Sequence, residues 1–292
     1  MKAELMHTVS SDGIRLDGAY FNPSSPAPVN SLADAWLLIH GSGGRFAQPI
    51  LLHFAQRLQE HGYPCLSINT AGHDSVWVGE TGPQGNAFEI IDRCRHDIRA
   101  AIDWLEERGY PRVGLLGRSL GAVKTAYYAA IEPDPRVTAV ISASPVRLSH
   151  ATFASCEFAE EFLQTYESFQ KLVDEGKPHE LVHVRFPINN IFSAATYLDM
   201  YSPDERYNIA RLAHRITVPL LCLSGERELH PRLAGFAREV SQAAVNSPST
   251  HWAEVDKADH THAGRFEEAA DLILQWLEEL QVQPDLQPTA GA

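Results

Sequence analysis

The sequence predicts an α/β fold, in which a mostly parallel, doubly wound sheet is covered by helices on both faces. Short apolar runs near residues 35, 64, 112, 137, 218 and 252 alternate with segments whose apolar residues recur at helical spacing. Such alternation is typical of right-handed strand–helix–strand crossovers. The opening segment differs, because residues 7–21 have the pattern of a hairpin that turns at Asp12-Gly13.

The clearest helical pattern runs from Phe88 to Glu107, where the apolar residues mark one face. Another helix is expected after residue 121, and Pro133 and Pro135 end it. Between these two patterns lies a short apolar strand, residues 112–116. Residues 117–121 therefore lie in the turn between this strand and the second helix.

Residues 117–121 form a G-x-S-x-G pentapeptide between that strand and that helix. A serine on so sharp a turn needs glycines around it, because the backbones pack too closely for side chains. The turn exposes the hydroxyl and places the next amide at a helix N-terminus, where an oxyanion can bind. Ser119 is therefore a candidate nucleophile; the alternative is a glycine-rich turn whose serine only caps the helix.

A second glycine-rich segment, His40 to Gly44, follows the apolar strand at residues 35–39. Glycines at a strand end allow backbone amides to point at a developing negative charge. We assign one oxyanion-hole donor to the amide of Ser42, with Gly43 as the substitute, and the other to the amide of Leu120. A simple tight turn is the alternative reading of His40-Gly41.

Serine nucleophiles need a histidine base and a carboxylate that orients it. The strand at residues 218–224 ends in Gly225-Glu226-Arg227-Glu228, where Glu228 is the first choice for the carboxylate and Glu226 the second. The chain contains 14 histidines. His260, in the loop after the last predicted strand, is the favoured base, and its spacing leaves His262 as the alternative.

These motifs, in the chain order serine, acid, histidine, resemble the α/β-hydrolase superfamily over roughly residues 9–280. Residues 67–75 look like its D-x-R-G-H-G-x-S passage, although Asn69 and Asp74 replace the usual aspartate and glycine. Ala258-Asp259-His260 looks like its G-A-D-H step. The resemblance implies a serine esterase or lipase-like hydrolase with an inserted lid. Glu228 departs from the aspartate that the family most often carries.

About seventy residues separate the sixth strand from the next one, more than one crossover helix needs. We expect residues 1–145 and 214–280 to form the core domain and residues 146–213 a helical lid. The predicted lid is rich in aromatic residues, which favours a substrate with an apolar portion. Residues 281–292 show no periodicity and are predicted to be disordered.

Composition excludes several classes of protein. The formal net charge of −13 argues against nucleic acid and anionic membranes as partners. No apolar run is long enough for membrane insertion, and four scattered cysteines without metal-ligand spacing favour free thiols in the cytoplasm. We expect a small-molecule substrate, no metal and no organic cofactor; the sequence also leaves a homodimer open.

Together these features predict hydrolysis of a carboxylic ester or lactone through an acyl-enzyme intermediate. The same machinery also cleaves amides and peptides, thioesters and ketone-activated carbon–carbon bonds. Amide or peptide cleavage would need an acidic pair to hold a substrate amine, and Glu160-Glu161 is the only pair of adjacent glutamates in the predicted lid. A non-catalytic ligand receptor with the same fold is the alternative from a different class.

Overall fold

A computed structural model of the chain describes residues 2–80 and 82–281. Its centre is an eight-stranded sheet with the strand order β1-β2-β4-β3-β7-β8-β11-β12. The strands of this sheet are β1 (Glu4–Val9), β2 (Arg15–Phe21), β3 (Ala35–Ile39), β4 (Cys65–Ile68), β7 (Val113–Arg118), β8 (Val137–Ala143), β11 (Leu220–Gly225) and β12 (Thr250–Val255).

Strand β2 is antiparallel to both β1 and β4, and every other neighbouring pair in the large sheet is parallel. The predicted, mostly parallel sheet is therefore confirmed. Two small antiparallel hairpins lie outside it, formed by β5 (Trp77–Gly79) with β6 (Gly82–Gln84) and by β9 (Leu181–Val184) with β10 (Asn190–Ser193).

Helices cover both faces of the large sheet. They are α1 (Pro49–Glu60), α2 (Cys94–Glu107), α3 (Leu120–Ile131), α4 (His150–Phe153), α5 (Ala159–Asp174), α6 (Ala194–Met200), α7 (Ile209–Leu212), α8 (Phe236–Ala243) and α9 (Phe266–Gln281), with short 3₁₀ helices at Asn86–Phe88, Ile91–Arg93 and Ala213–Arg215. Helices α1 and α9 pack with the apolar residues of one sheet face. Helices α2, α3 and α8 contribute to the apolar cluster of the other face.

Residues 146–213, which we call the insertion, lie between β8 and β11. The sequence predicted a helical segment after the sixth strand, and β8 is the sixth strand of the large sheet along the chain. The insertion is not purely helical, because the β9–β10 hairpin lies between α5 and α6. Its aromatic rings pack on one another and extend the apolar cluster to which α2, α3 and α8 contribute. This packing gives the short helices a shared core.

Two element boundaries differ from the sequence prediction. The helix expected from Phe88 begins at Cys94, because residues 86–93 form two 3₁₀ turns. The amide of Ile91 donates to Asp199 Oδ2 at 3.2 Å, so a contact with the insertion shapes this turn. Gln281, placed in the disordered tail by the sequence analysis, is the last residue of α9 and donates to the Tyr63 hydroxyl at 2.7 Å. Residues 282–292 lie outside the described residues.

All four cysteines are free thiols, and three of them are buried. Among the described helices, none combines the length and apolarity needed to cross a membrane.

A buried ion pair lies beneath the first turns of α3. Lys124, which is fully buried, contacts Glu89 Oε1 at 2.5 Å and donates to Thr70 Oγ1 at 3.1 Å. The Glu89 carboxylate packs against the backbone of Gly72, where an added Cβ would lie 2.1 Å from Glu89 Oε1. Charges with so little access to water depend on each other, because neither can be solvated if its partner is lost.

We therefore expect Glu89→Gln to lower the free energy of unfolding by about 3–5 kcal/mol, since it leaves the Lys124 charge without its partner. Urea denaturation followed by circular dichroism measures this loss. Asp17→Asn breaks an exposed ion pair with Arg15 and serves as the control, for which little change is expected. A loss below about 1 kcal/mol in Glu89→Gln would contradict the prediction.

Candidate active site

The turn between β7 and α3 holds Ser119 in a strained conformation. Its φ of 59° and ψ of −120° lie in a region that residues with a side chain rarely occupy. A Cβ on Gly117 would lie 2.1 Å from the carbonyl oxygen of Gly121, and a Cβ on Gly121 would lie 2.2 Å from that of Ile39. Glycine at both positions therefore lets strand and helix approach closely enough to form the turn.

The segment after β3 packs directly against this serine. Strands β3 and β7 are neighbours, with Ile39 opposite Gly117, so both strands end at the same edge of the sheet. A Cβ on Gly41 would lie 2.8 Å from Ser119 Cβ. The predicted oxyanion segment and the predicted nucleophile are thus adjacent.

His40 fixes the conformation of that segment. The ring is fully buried; Thr70 donates its amide hydrogen to Nε2 at 3.0 Å, and Nδ1 lies 2.8 Å from the Gly41 carbonyl oxygen. Because Nε2 accepts, the ring proton is on Nδ1 and donates to that carbonyl. Burial lowers the pKa of His40 to about 3, so the ring is neutral at physiological pH.

The two predicted oxyanion donors are next in the chain to residues at this contact, since Ser42 follows Gly41 and Leu120 follows Ser119. Within the described residues, the amide of Ser42 donates to no backbone carbonyl. Leu120 is the first residue of α3, a position whose amide has no acceptor within its own helix. Both amides are thus available to an external acceptor, and their role as oxyanion donors stays a prediction.

The predicted base and acid extend from Ser119 in a chain of hydrogen bonds. Ser119 Oγ lies 2.9 Å from His260 Nε2, and His260 Nδ1 lies 3.1 Å from Glu228 Oε1. The loops that carry them are joined, because Arg227 donates its amide hydrogen to the Ala258 carbonyl at 2.9 Å. Glu228 is only 6 % exposed. A carboxylate in this position can hold the imidazole with Nε2 free to accept a proton.

The alternatives for acid and base have other partners. Glu226 is exposed and accepts a hydrogen bond from the amide of Lys257 at 2.7 Å. His262 is buried, with Nε2 at 2.9 Å from Ser144 Oγ, and burial lowers its pKa to about 4. Neither contacts the Ser119–His260 pair through a hydrogen bond in the described residues.

Electrostatics around His260 favour the neutral ring. Burial lowers its pKa, the hydrogen bond to Glu228 raises it, and the positive charges of Arg118 and Arg232 lower it; the net shift is downward from 6.5. Arg118 also donates a hydrogen bond to the His260 carbonyl. Nothing in the sequence distinguishes Arg232 from a surface arginine, because its burial near His260 arises only when the chain folds.

No group of three or more histidine, cysteine, aspartate or glutamate side chains is arranged to hold a metal ion in residues 2–80 and 82–281. A cavity of about 610 Å³ lies near Val137 and Pro219, at the N-terminal ends of β8 and β11 and therefore at the opposite edge of the sheet from Ser119. The functional groups described above are all at the carboxyl edge, where open α/β sheets bind their ligands.

No family model matches the sequence, and no curated protein does. Solved structures do resemble the fold. The α/β hydrolase GrgF from Penicillium sp. sh18 matches with a TM-score of 0.69 and 18 % identity, over 96 % of this chain and 99 % of that one. Est1E from Butyrivibrio proteoclasticus, solved with ferulic acid bound, matches with a TM-score of 0.66 and 17 % identity, over 94 % and 99 %.

The esterase domain of a Rhodothermus marinus protein matches with a TM-score of 0.60 and 18 % identity, over 94 % of this chain and 98 % of that domain. Coverage is nearly complete in all three cases, whereas identity is low. The chain therefore has the α/β-hydrolase fold, as the resemblance of its motifs implied.

We expect the imidazole of His260 to titrate below pH 6.5, because burial opposes the charged form more than Glu228 supports it. Glu228→Gln removes the supporting charge and should move the midpoint lower still. Nuclear magnetic resonance of ring-labelled histidine follows the titration, with His260→Gln used to assign the signal. A midpoint at or above 6.5, or an upward shift in Glu228→Gln, would contradict this description of the site.

Proposed function

We propose that this chain is a serine hydrolase that cleaves a carboxylic ester or lactone through an acyl-enzyme intermediate. One observation carries the proposal: the continuous hydrogen-bonded chain from Ser119 through His260 to Glu228, at 2.9 and 3.1 Å. A nucleophile within reach of a base that is itself oriented by a carboxylate is the arrangement that acyl transfer requires.

In the first step Ser119 Oγ attacks the substrate carbonyl while its proton passes to His260 Nε2. The negative charge on the carbonyl oxygen is bound by the amides of Ser42 and Leu120, and each such donor contributes about 10²–10³-fold to the rate. His260 then gives the proton to the departing alcohol oxygen. In the second step a water loses its proton to His260 and attacks the acyl group. His260 then returns that proton to Ser119 Oγ as the bond to the acyl group breaks, which releases the carboxylic acid and restores Ser119.

Two observations support an ester or lactone over a peptide. Two of the similar solved structures are named as esterases, Est1E and the Rhodothermus marinus domain. Glu160 and Glu161, the acidic pair that could have held a substrate amine, are exposed on the first turn of α5. Solvated carboxylates on a helix surface do not form a clamp.

The insertion, as the proposed lid, supplies apolar surface near the site. Phe186 packs on the ring of His230, two residues beyond Glu228, with the ring centres 5.7 Å apart. Phe158, which is 39 % exposed, lies 5.0 Å from Phe186 by the same measure. An acyl or aromatic portion of the substrate would pack against such rings.

We expect Ser119→Ala to abolish both ester turnover and labelling by a serine-directed phosphonate, because it removes the nucleophile without disturbing the turn. A panel of nitrophenyl esters of rising acyl length, a lactone, a thioester and an aminoacyl anilide would be assayed with both proteins. Labelling that persists in Ser119→Ala would disprove the nucleophile. Labelling of Ser119 without turnover of any ester or lactone would favour the other bond classes.

If neither labelling nor turnover occurs in the wild type, the fold carries a non-catalytic ligand receptor instead.

Glu228→Ala is expected to lower kcat by about 10³–10⁴-fold, because His260 loses the group that orients it. Glu226→Ala is the matched control: it removes a carboxylate two residues away that does not contact His260, and it should retain kcat within a few-fold. Steady-state kinetics on the best ester decides between them. Equal losses in the two variants, or a larger loss in Glu226→Ala, would overturn the assignment of the acid.

A further inference from the structure

One buried cation near the candidate site has no hydrogen-bond or ion-pair partner in the part of the chain that the structure describes. Arg232, in the loop between β11 and α8, is 8 % exposed, and Nε is buried without a hydrogen bond. Within the described residues its guanidinium forms neither an ion pair nor a hydrogen bond. Only its backbone is engaged, since its amide donates to His230 Nδ1 at 3.1 Å and its carbonyl accepts from the Arg147 amide at 2.7 Å.

A buried hydroxyl of the insertion also has no hydrogen-bond partner within residues 2–80 and 82–281. Tyr201 is 1 % exposed, and its Oη is buried without a hydrogen bond. Its ring packs on Phe153, with centres 5.7 Å apart; Phe153 packs on Phe186 at 5.4 Å, and Phe186 packs on His230 at 5.7 Å. This row of rings connects Tyr201 to the loop that carries Arg232.

Arg232 also acts on the groups of the candidate site. Its charge lowers the pKa values of His260 and of Tyr201, although burial still raises that of Tyr201 to about 12. The negative charge of Glu228 favours the charged form of Arg232, while burial lowers the pKa of Arg232. The guanidinium thus lies within electrostatic range of the acid, the base and the unpartnered hydroxyl.

Leaving a buried charge and a buried hydroxyl without partners is costly, and such groups are normally satisfied by a partner. A planar guanidinium binds a carboxylate through two parallel hydrogen bonds, and a phenolic hydroxyl can donate a third. The two groups come from different parts of the chain, one from the loop after β11 and one from the insertion. A carboxylate bound by both groups would therefore contact the core and the insertion at once.

We propose that Arg232, with the hydroxyl of Tyr201, binds a free carboxylate of the substrate, so that the preferred substrate is an ester or lactone that also carries a carboxylate. This inference rests on the proposed hydrolase function. It names the substrate class of the same site: half-esters of dicarboxylic acids, or esters of hydroxy acids.

Two matched pairs of substrates test the inference and locate the carboxylate. Ethyl hydrogen adipate carries it on the acyl part, and butyryloxyacetate carries it on the alcohol part; each is compared with its neutral primary amide of nearly the same shape. We expect wild-type kcat/KM for one acid to exceed that for its amide. In Arg232→Gln, kcat/KM for that acid should fall at least about 30-fold, while kcat/KM for the amide changes little.

Arg147→Gln is the matched control, because Arg147 is a nearby arginine that already pairs with Glu239 at 2.6 Å. It should keep the preference for the acid. Tyr201→Phe should weaken the preference in the same direction as Arg232→Gln, but by less. Thermal unfolding gives an independent readout: Arg232→Gln should be at least as stable as the wild type, because it removes a buried charge whose side chain forms no hydrogen bond or ion pair within the described residues.

Different experimental results would contradict the carboxylate site and the hydrolase function. Equal kcat/KM for acid and amide in both pairs would overturn the carboxylate site and leave the hydrolase intact. Equal losses for acid and amide in Arg232→Gln, with a shifted pH profile, would also overturn it and make Arg232 a positioning residue for Glu228.

Calorimetry with Ser119→Ala measures binding of the two acids without turnover. One possible result is that Ser119→Ala binds one of the acids, that the additional change Arg232→Gln removes the binding, and that the wild type cleaves neither acid. This result would support the carboxylate site and contradict ester hydrolysis. Absence of binding and of any preference for the acids would overturn the carboxylate site.

Discussion

The candidate site depends on the close approach of three backbone segments around Ser119. The glycines at 41, 117 and 121 lie where an added Cβ would be 2.1 to 2.8 Å from a neighbouring atom, and van der Waals contact does not allow such distances. Their missing side chains let β3, β7 and α3 meet at one edge of the sheet. The strained φ of Ser119 then persists because the surrounding packing holds it, and the hydroxyl meets His260.

The charged groups near this edge of the sheet are buried, so each interacts strongly with its neighbours. Lys124 and Glu89, beneath the first turns of α3, form an ion pair through Glu89 Oε1 and so contribute to the structure, although Glu89 Oε2 is buried without a hydrogen bond within the described residues. The pKa of His260 is lowered by burial, which keeps a base available near neutral pH. Arg232 is also buried, but within the described residues its guanidinium has no hydrogen-bond or ion-pair partner. We interpret the paired charges as structural and the unpaired charge as a binding group.

Structural features that are caused by neighbouring residues can be predicted from the sequence, whereas features that depend on contacts between distant segments cannot. The parallel sheet and the turn at Ser119 follow from short-range patterns, because apolar runs and glycines act on adjacent backbone. Chain order also predicted that His260 and Glu228 would meet. The start of α2 was not predicted, because a contact with the distant Asp199 shapes the turn before it. The β9–β10 hairpin was not predicted either; it lies between two helices of the insertion. The sequence also could not predict that Arg232 is buried without a hydrogen-bond or ion-pair partner among the described residues, because burial and pairing are properties of the folded chain.

Acylation of Ser119 can be detected by intact-protein mass spectrometry followed by peptide mapping. An activated ester with a bulky acyl group would be mixed with the protein and the reaction quenched within the first turnovers. We expect the mass of one acyl group on the peptide that contains Ser119, and a loss of that mass on longer incubation. Product formation without any acylated Ser119, or an acyl group attached to another residue, would contradict it.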